Sequence, residues 1–296
     1  MSEPQDTAPV VWIDGQWRTK ESASVSVYDH GLLYGDGIFE GLRIYGGKIF
    51  RLSAHMDRLE DSARALLLNL PYSRQEIEAV LNEAVARSKR KDGYIRLVVT
   101  RGIGTLGLDP NRCPRPTMFA IVDGIQLYPA ELYATGIPVV TASTRRTPRS
   151  SAEARVKSLN YLNNILAKIE AQRAGCLEAL MLNTEGLVVE CTADNVFIVK
   201  DGALKTPAAI HGALEGITRG VVLEQAKVLG IPSAETALAL FDVYTADEAF
   251  MTGSGAEVMP LTSVDGRVIG DGRPGPITLK LLEAFRRETA LTENSR

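Results

Sequence analysis

Five glycine-punctuated turn signals, spread across the chain, constrain its fold more than any other feature. Asp14-Gly15, Gly46-Gly47, Asp201-Gly202 and Asp265-Gly266 are dipeptides that accept positive φ at both positions, as two-residue hairpin turns require. Thr184-Glu185-Gly186 is a fifth hairpin signal. Each predicts a pair of adjacent antiparallel strands, so both halves of the chain carry sheet.

Helix signals are fewer. Residues 53–69 read as a helix with Ser53 as its cap, and Ser73-Arg74-Gln75-Glu76 is a capping box opening a second helix towards Arg90. Tyr94–Thr100 and Thr117–Val122 are rich in apolar and β-branched residues and predict buried strands. Another strand follows at Pro138–Thr144, and the polar stretch Thr144–Ala154 reads as a surface loop. Leu159, Leu162, Leu166 and Ile169 supply the apolar stripe of the next helix, which Gly175 terminates. Two more helices fit Thr218–Leu229, ended by Gly230, and Ile277–Thr289. Strands mixed with few helices argue for two α+β or α/β domains and against a doubly wound dinucleotide fold. A length of 296 residues also points to about two domains, here 1–124 and 137–296, joined by a connection at 125–136 that carries Pro129.

Composition excludes several function classes. Hydrophobic residues at 45% and charged residues at 23% suit a globular protein, and a net charge of -3 offers no attraction to nucleic acid or an anionic membrane. No apolar run approaches a membrane span. Met1-Ser2-Glu3-Pro4-Gln5-Asp6 is polar and acidic, unlike a secretory signal. Cys113, Cys176 and Cys191 are scattered and the chain has only three histidines, so a metal centre is not expected and the thiols read as free. A cytoplasmic protein is the expectation.

Chemistry concentrates in a few segments. Lys157-Ser158-Leu159-Asn160-Tyr161-Leu162-Asn163-Asn164 puts a lysine at a loop-to-helix junction. Downstream, Glu190-Cys191-Thr192-Ala193-Asp194-Asn195-Val196-Phe197 carries an acidic residue leaving a strand. Arg58 lies within His55-Met56-Asp57-Arg58-Leu59. Gly216-Ile217-Thr218-Arg219 precedes a predicted helix, and Thr252-Gly253-Ser254-Gly255-Ala256-Glu257 is a small-residue turn. Singly, these read as a solvated lysine, a surface carboxylate, an exposed arginine, a helix cap and a turn. In this order they resemble the fold type IV family of pyridoxal phosphate enzymes, over nearly the whole chain from about Val11 to the C-terminal helix.

The resemblance implies a two-layer N-terminal domain, a C-terminal pseudo-barrel and a cofactor cleft between them. It makes Lys157 the Schiff-base and proton-transfer residue, with Glu190 keeping the pyridine nitrogen protonated. Phosphate would be held by Arg58, by the backbone of Gly216, Ile217 and Thr218 at a helix N-terminus, and by Ser254 and Gly255. Tyr161, four residues after Lys157 and so about one helical turn away, would bond the phenolic oxygen. Asn195 would orient Glu190 or the cofactor edge.

Substrate recognition falls on Tyr94 and Arg96, two apart in a strand and therefore on one face, where a hydroxyl and a guanidinium can hold a carboxylate. This pair is similar to that of the branched-chain aminotransferases. By the same resemblance Tyr34, Phe39 and Gly41 would line an apolar side-chain pocket, with Gly255 and Ala256 completing the site. Arg101-Gly102-Ile103-Gly104-Thr105-Leu106-Gly107 reads as a Gly-rich loop able to close over a neighbouring site. The implied reaction is transamination of L-leucine, L-isoleucine and L-valine with 2-oxoglutarate, amino acids and 2-oxo acids being the small-molecule partners, by a homodimer or higher homo-oligomer. Within the family the alternatives are a D-amino acid aminotransferase, an R-selective amine transaminase or an aminodeoxychorismate lyase. Outside it stands a non-catalytic binding protein that inherited the fold.

Overall fold

The computed structural model describes residues 8–125 and 128–294; the N-terminal hexapeptide discussed above, and Gln126 and Leu127 of the expected connection, lie outside them. The chain divides into two compact units. One comprises residues 8–125, Val156–Asn160 and the helix end from Thr289; the other comprises 128–155 and 161–288.

The first unit contains β1 (Val10–Ile13), β2 (Gln16–Arg18), α1 (His30–Tyr34), β3 (Gly37–Tyr45), β4 (Lys48–Ile49), α2 (Leu52–Ala65), α3 (Arg74–Ser88), β5 (Gly93–Thr100) and β6 (Thr117–Asp123). Its six strands form one antiparallel sheet in the order β2-β1-β6-β5-β3-β4. Helices α2 and α3 cover one face. Strand alternation sends Ile38, Leu42 and Ile44 of β3 and Ile95, Leu97 and Val99 of β5 to that face, where they meet Met56 and Leu59 of α2 and Ile77 and Leu81 of α3. The opposite face carries Phe39 and Gly41 beside Val98 and Arg96, a register set by the β3–β5 ladder. The capping box is present, with Ser73 accepting from Glu76 N and Glu76 bonding Ser73 N. Ser53, expected to cap α2, does not: the helix starts one residue earlier from a left-handed Arg51, and the Ser53 hydroxyl accepts from Arg74 instead.

The second unit contains α4 (Leu132–Thr135), β7 (Ile137–Thr141), α5 (Leu162–Arg173), β8 (Glu178–Leu182), β9 (Val188–Cys191), β10 (Asn195–Lys200) and β11 (Ala203–Pro207). There follow α6 (Ile217–Val228), β12 (Ser233–Thr236), α7 (Leu240–Tyr244), β13 (Glu248–Gly253), β14 (Glu257–Val264), β15 (Arg267–Val268) and α8 (Pro276–Asn294), whose last turn begins the stretch grouped with the first unit. Its sheet runs β12-β11-β10-β13-β14-β7-β8-β9, with β15 on β14. The sheet curls, because edge strand β9 returns to pack against β10 and β11. Two sheets, one of them curled into a half-barrel, are what the resemblance implies for the fold. Val188, Val196, Ile198, Met251, Met259 and Leu261 fill its core.

All four Asp-Gly and Gly-Gly turns have positive φ at both residues and join antiparallel strands. The stripe expected on α5 is a correction. Leu162, Leu166 and Ile169 are exposed, and the helix instead packs through Ala167 and Ala171 against Ala142, Ala179 and Met181. Small residues let α5 lie close to the sheet, and that choice turns the large apolar side chains outward.

Candidate active site

In the first unit, Lys157 is delivered by an extended segment laid along the start of β3. Phe39 N donates to Lys157 O at 3.0 Å, Leu159 N to Gly37 O at 2.9 Å, and Ile38 bridges Ser158. The Ser62 hydroxyl of α2 accepts from Lys157 N at 3.2 Å. The chain from Lys157 to Tyr161 is therefore not helical, and α5 begins only at Leu162 with Tyr161 as its N-cap. The expectation that Tyr161 lies one helical turn from Lys157 is corrected by these strand-like bonds, which hold the backbone extended.

Lys157 Nζ sits 4.3 Å from the centre of the Phe39 ring, and the Arg96 guanidinium sits 4.5 Å from the same ring. Arg96 Nη2 donates to Tyr94 Oη at 3.3 Å. Gly41 makes room for this pair: a Cβ there would fall 1.8 Å from Tyr94 Oη. One sheet face thus gathers Lys157, Phe39, Gly41, Tyr94 and Arg96. Tyr34 is not brought into this cluster. It ends α1, its ring meets His30 edge-on, and its hydroxyl accepts from Gly107 N at 2.9 Å, tying down the Gly-rich loop.

Arg58 lies on the helix-covered side, clamped by Glu40. Its Nε donates to Oε1 at 2.8 Å and its Nη2 to Oε2 at 2.7 Å, while His55 Nδ1 lies 2.7 Å from Oε2. Sequence reasoning passed over Glu40 and His55. The signal was available, since strand alternation puts Glu40 on the same face as Ile38 and Leu42, and a core-facing carboxylate demands partners.

The second unit holds the remaining candidates. Glu190, on β9, is buried; Arg146 reaches its Oε1 at 3.0 Å and Leu214 N donates to its Oε2 at 3.0 Å. Arg146 is itself placed by Asn164, whose Oδ1 accepts from Nη1 at 2.9 Å. Asn195, at the start of β10, donates to Leu214 O at 2.8 Å and pairs across the sheet with Thr252. Arg146 and Asn164 are additions that the sequence did not signal, because only the tertiary fold sets them beside Glu190.

Gly216 is the N-cap of α6, and no side chain caps that helix, which leaves the N–H groups of Ile217 and Thr218 at an uncapped N-terminus. A Cβ at Gly216 would come within 2.1 Å of Asn195 Oδ1, so the backbone approaches closely only with glycine. The Thr252 hydroxyl is buried without a hydrogen-bond partner. Ser254, Gly255 and Ala256 form the turn from β13 to β14, with Ala256 O accepting from Tyr133 Oη at 3.1 Å. An uncapped helix N-terminus, a glycine cradle and an orphaned hydroxyl are the donor set that a phosphate monoester requires, so the residues fit a phosphorylated cofactor. Among the described residues, no cluster of His, Cys, Asp or Glu could hold a metal ion, and no helix is long and apolar enough to cross a membrane.

Residues 37–264 match the family described as amino-transferase class IV. The chain is 49% identical, over 276 residues, to a putative branched-chain-amino-acid aminotransferase of Methanocaldococcus jannaschii, covering 93% of this chain and 95% of that one. It is 38% identical to a D-alanine aminotransferase of Listeria monocytogenes, covering 91% and 92%. Among solved structures, the branched-chain amino acid aminotransferase of Escherichia coli superposes with a TM-score of 0.92 at 34% identity, covering 95% of this chain and 94% of that one. The branched-chain amino acid aminotransferase of Thermobaculum terrenum, solved in its PLP-bound holo form, gives 0.86 at 30% identity, covering 97% and 95%.

Proposed function

The chain belongs to the class IV aminotransferases, and from that premise we propose that it moves the amino group of L-leucine, L-isoleucine or L-valine to 2-oxoglutarate, using pyridoxal 5'-phosphate. The carrying observation is the shared sheet face on which Tyr94 and Arg96 flank Gly41 and Phe39 beside the Lys157 amine. A hydroxyl and a guanidinium 3.3 Å apart can hold one carboxylate by two donors. Phe39 presents an aromatic surface to an aliphatic side chain, and such a surface separates leucine from valine only weakly, by roughly 1–3 kcal/mol per methylene.

The bound cofactor supplies an electron sink for the Cα–H bond. Lys157 would hold it, and its amine would take the proton from the substrate's Cα and give it back within the same turnover; a positioned base contributes roughly 10²–10⁴-fold. Glu190, fixed by Arg146 and Leu214 N, serves the pyridine nitrogen, with Asn195 beside it. Arg58, the α6 N-terminus at Gly216, Ile217 and Thr218, Ser254 and Gly255 take the phosphate, with the Thr252 hydroxyl as an added donor. Tyr161 takes the phenolic oxygen, and Ala256 borders the substrate.

The chain acts as a homodimer. Exposed Leu162, Ile165, Leu166 and Ile169 on α5, with exposed Ile103 and Leu106 in the Gly-rich loop and Leu108 just after it, are the apolar surfaces that a second copy would cover. Tyr34 anchors that loop, and its role in the pocket is exerted through the loop. The compartment is the cytoplasm, which keeps Cys113, Cys176 and Cys191 as thiols.

The test is to mix the cofactor-loaded enzyme separately with L-leucine and with D-alanine and follow the visible cofactor band. Loss of the band with L-leucine alone is the expected result. Loss with D-alanine alone would replace the L-specific reading with the D-specific one, which has the weaker support of 38% identity to a D-alanine aminotransferase.

A further inference from the structure

Glu40 is a carboxylate where the strand pattern calls for an apolar residue. It shares the helix-covered face of β3 with Ile38, Leu42 and Ile44 and is fully buried. A lone ionised carboxylate in such a place is strongly disfavoured, so its partners define its purpose. They are Arg58, at 2.8 and 2.7 Å through Nε and Nη2, and His55, at 2.7 Å through Nδ1. His55 and Arg58 are three residues apart on α2 and therefore share one side of the helix.

We propose that Glu40 and His55 are a positioning pair that locks the Arg58 guanidinium in the orientation that recognises the cofactor's phosphate; this rests on Arg58 being a phosphate ligand. A guanidinium is a planar fork of five donors. The carboxylate takes the Nε and Nη2 edge in a two-point contact, which fixes the plane and the rotation about the side-chain axis. The Nη1 end lies outside this carboxylate pair. His55, donating Nδ1–H to Oε2, in turn stops the carboxylate from turning. Rotational freedom lost in advance is not lost again on binding, so the arrangement raises affinity for the phosphate without touching it.

An ordinary ion pair pinning α2 to β3 would have the same geometry, and the difference lies in which ligand suffers when the pair is broken. The experiment strips the cofactor from the full-length protein and titrates it back with pyridoxal phosphate and, separately, with pyridoxal, which lacks the phosphate. The wild type binds the phosphorylated compound more tightly, and Arg58→Ala loses that preference. Glu40→Gln and His55→Leu weaken pyridoxal phosphate binding roughly tenfold or more while leaving pyridoxal within about twofold, and His55→Asn, which keeps a donor near Nδ1, retains most of the affinity. Equal weakening of both ligands by Glu40→Gln and His55→Leu, or no weakening, overturns the positioning role while leaving Arg58 as a ligand. Arg58→Ala with its preference intact overturns the phosphate reading of Arg58 and the proposal with it. Should Glu40→Gln not fold, the His55→Leu and His55→Asn pair decides the matter alone.

Discussion

On the proposed reading Lys157 bears the chemistry, and its neighbours decide whether that chemistry has a substrate. Lys157→Ala should abolish turnover while leaving the fold intact, checked by leucine-dependent glutamate formation and circular dichroism. Gly41→Ala is a sharper probe. Its new methyl would collide with Tyr94 Oη, so the tyrosine must swing off the face it shares with Arg96. KM for L-leucine should rise several-fold with cofactor affinity unchanged, and a parallel loss of cofactor binding would contradict the assignment of Tyr94 to the carboxylate. The buried pair behind Arg58 has its own pH signature. Burial alone would raise Glu40, but the Arg58 charge and hydrogen bonds, with His55, outweigh it and bring the carboxyl from 4.5 down to about 2. His55 is lowered from 6.5, chiefly by burial, with the Glu40 hydrogen bond opposing. Both groups bind fewer protons folded than unfolded, so each adds to the rise of stability with pH. The Glu40 contribution is complete above 4.5 and is lost as pH falls through about 2, while the His55 contribution is lost as pH falls below 6.5. His55→Asn should therefore flatten the fall in unfolding free energy between roughly pH 7 and 5.5 in urea titrations.

At the scale of elements, helix ends carry more of the design than helix faces. The α6 N-terminus is left without a side-chain cap, while the α8 N-terminus is closed by Glu248 from β13, which accepts from Ile277 N at 3.0 Å and from Thr278 N and Oγ1 at 2.7 Å each. One helix end is satisfied by the protein, and the other, on the proposed reading, takes the cofactor's phosphate. Glu248→Ala should cost about 1–3 kcal/mol of stability, because buried donors lose their acceptor. Denaturant midpoints compare the two proteins, with cofactor affinity serving as the control that stays put. The α5 stripe shows how far periodicity reads. It located the helix, yet the buried side is the alanine side, because the space over β7 and β8 admits only small residues.

For the whole molecule, the exposed leucines and isoleucines of α5 predict association. The 32.1 kDa chain should sediment at twice that mass, and Ile165→Glu, placing a charge on an exposed apolar residue, should shift it towards the monomer. A wild-type monomer with full activity would remove the dimer from the account. The second unit closes its own core by curling, with β9 returning to β10 and β11, so neither turn signals nor strand propensity announced the half-barrel.

The sequence by itself determined the hairpins, the strand faces, the capping box and the family, since these rest on local dihedral preference, two-residue alternation and motif order. Asp14-Gly15 could be read as a hairpin turn because its geometry is paid for within four residues. Only the tertiary structure decided what Glu40 holds, what Arg146 holds, that Thr252 is orphaned and which side of α5 is buried. Each of those depends on groups far apart in the chain meeting at one register, and a hydrogen bond between residues 18 apart or an ion pair between residues 44 apart leaves no periodic trace in the sequence.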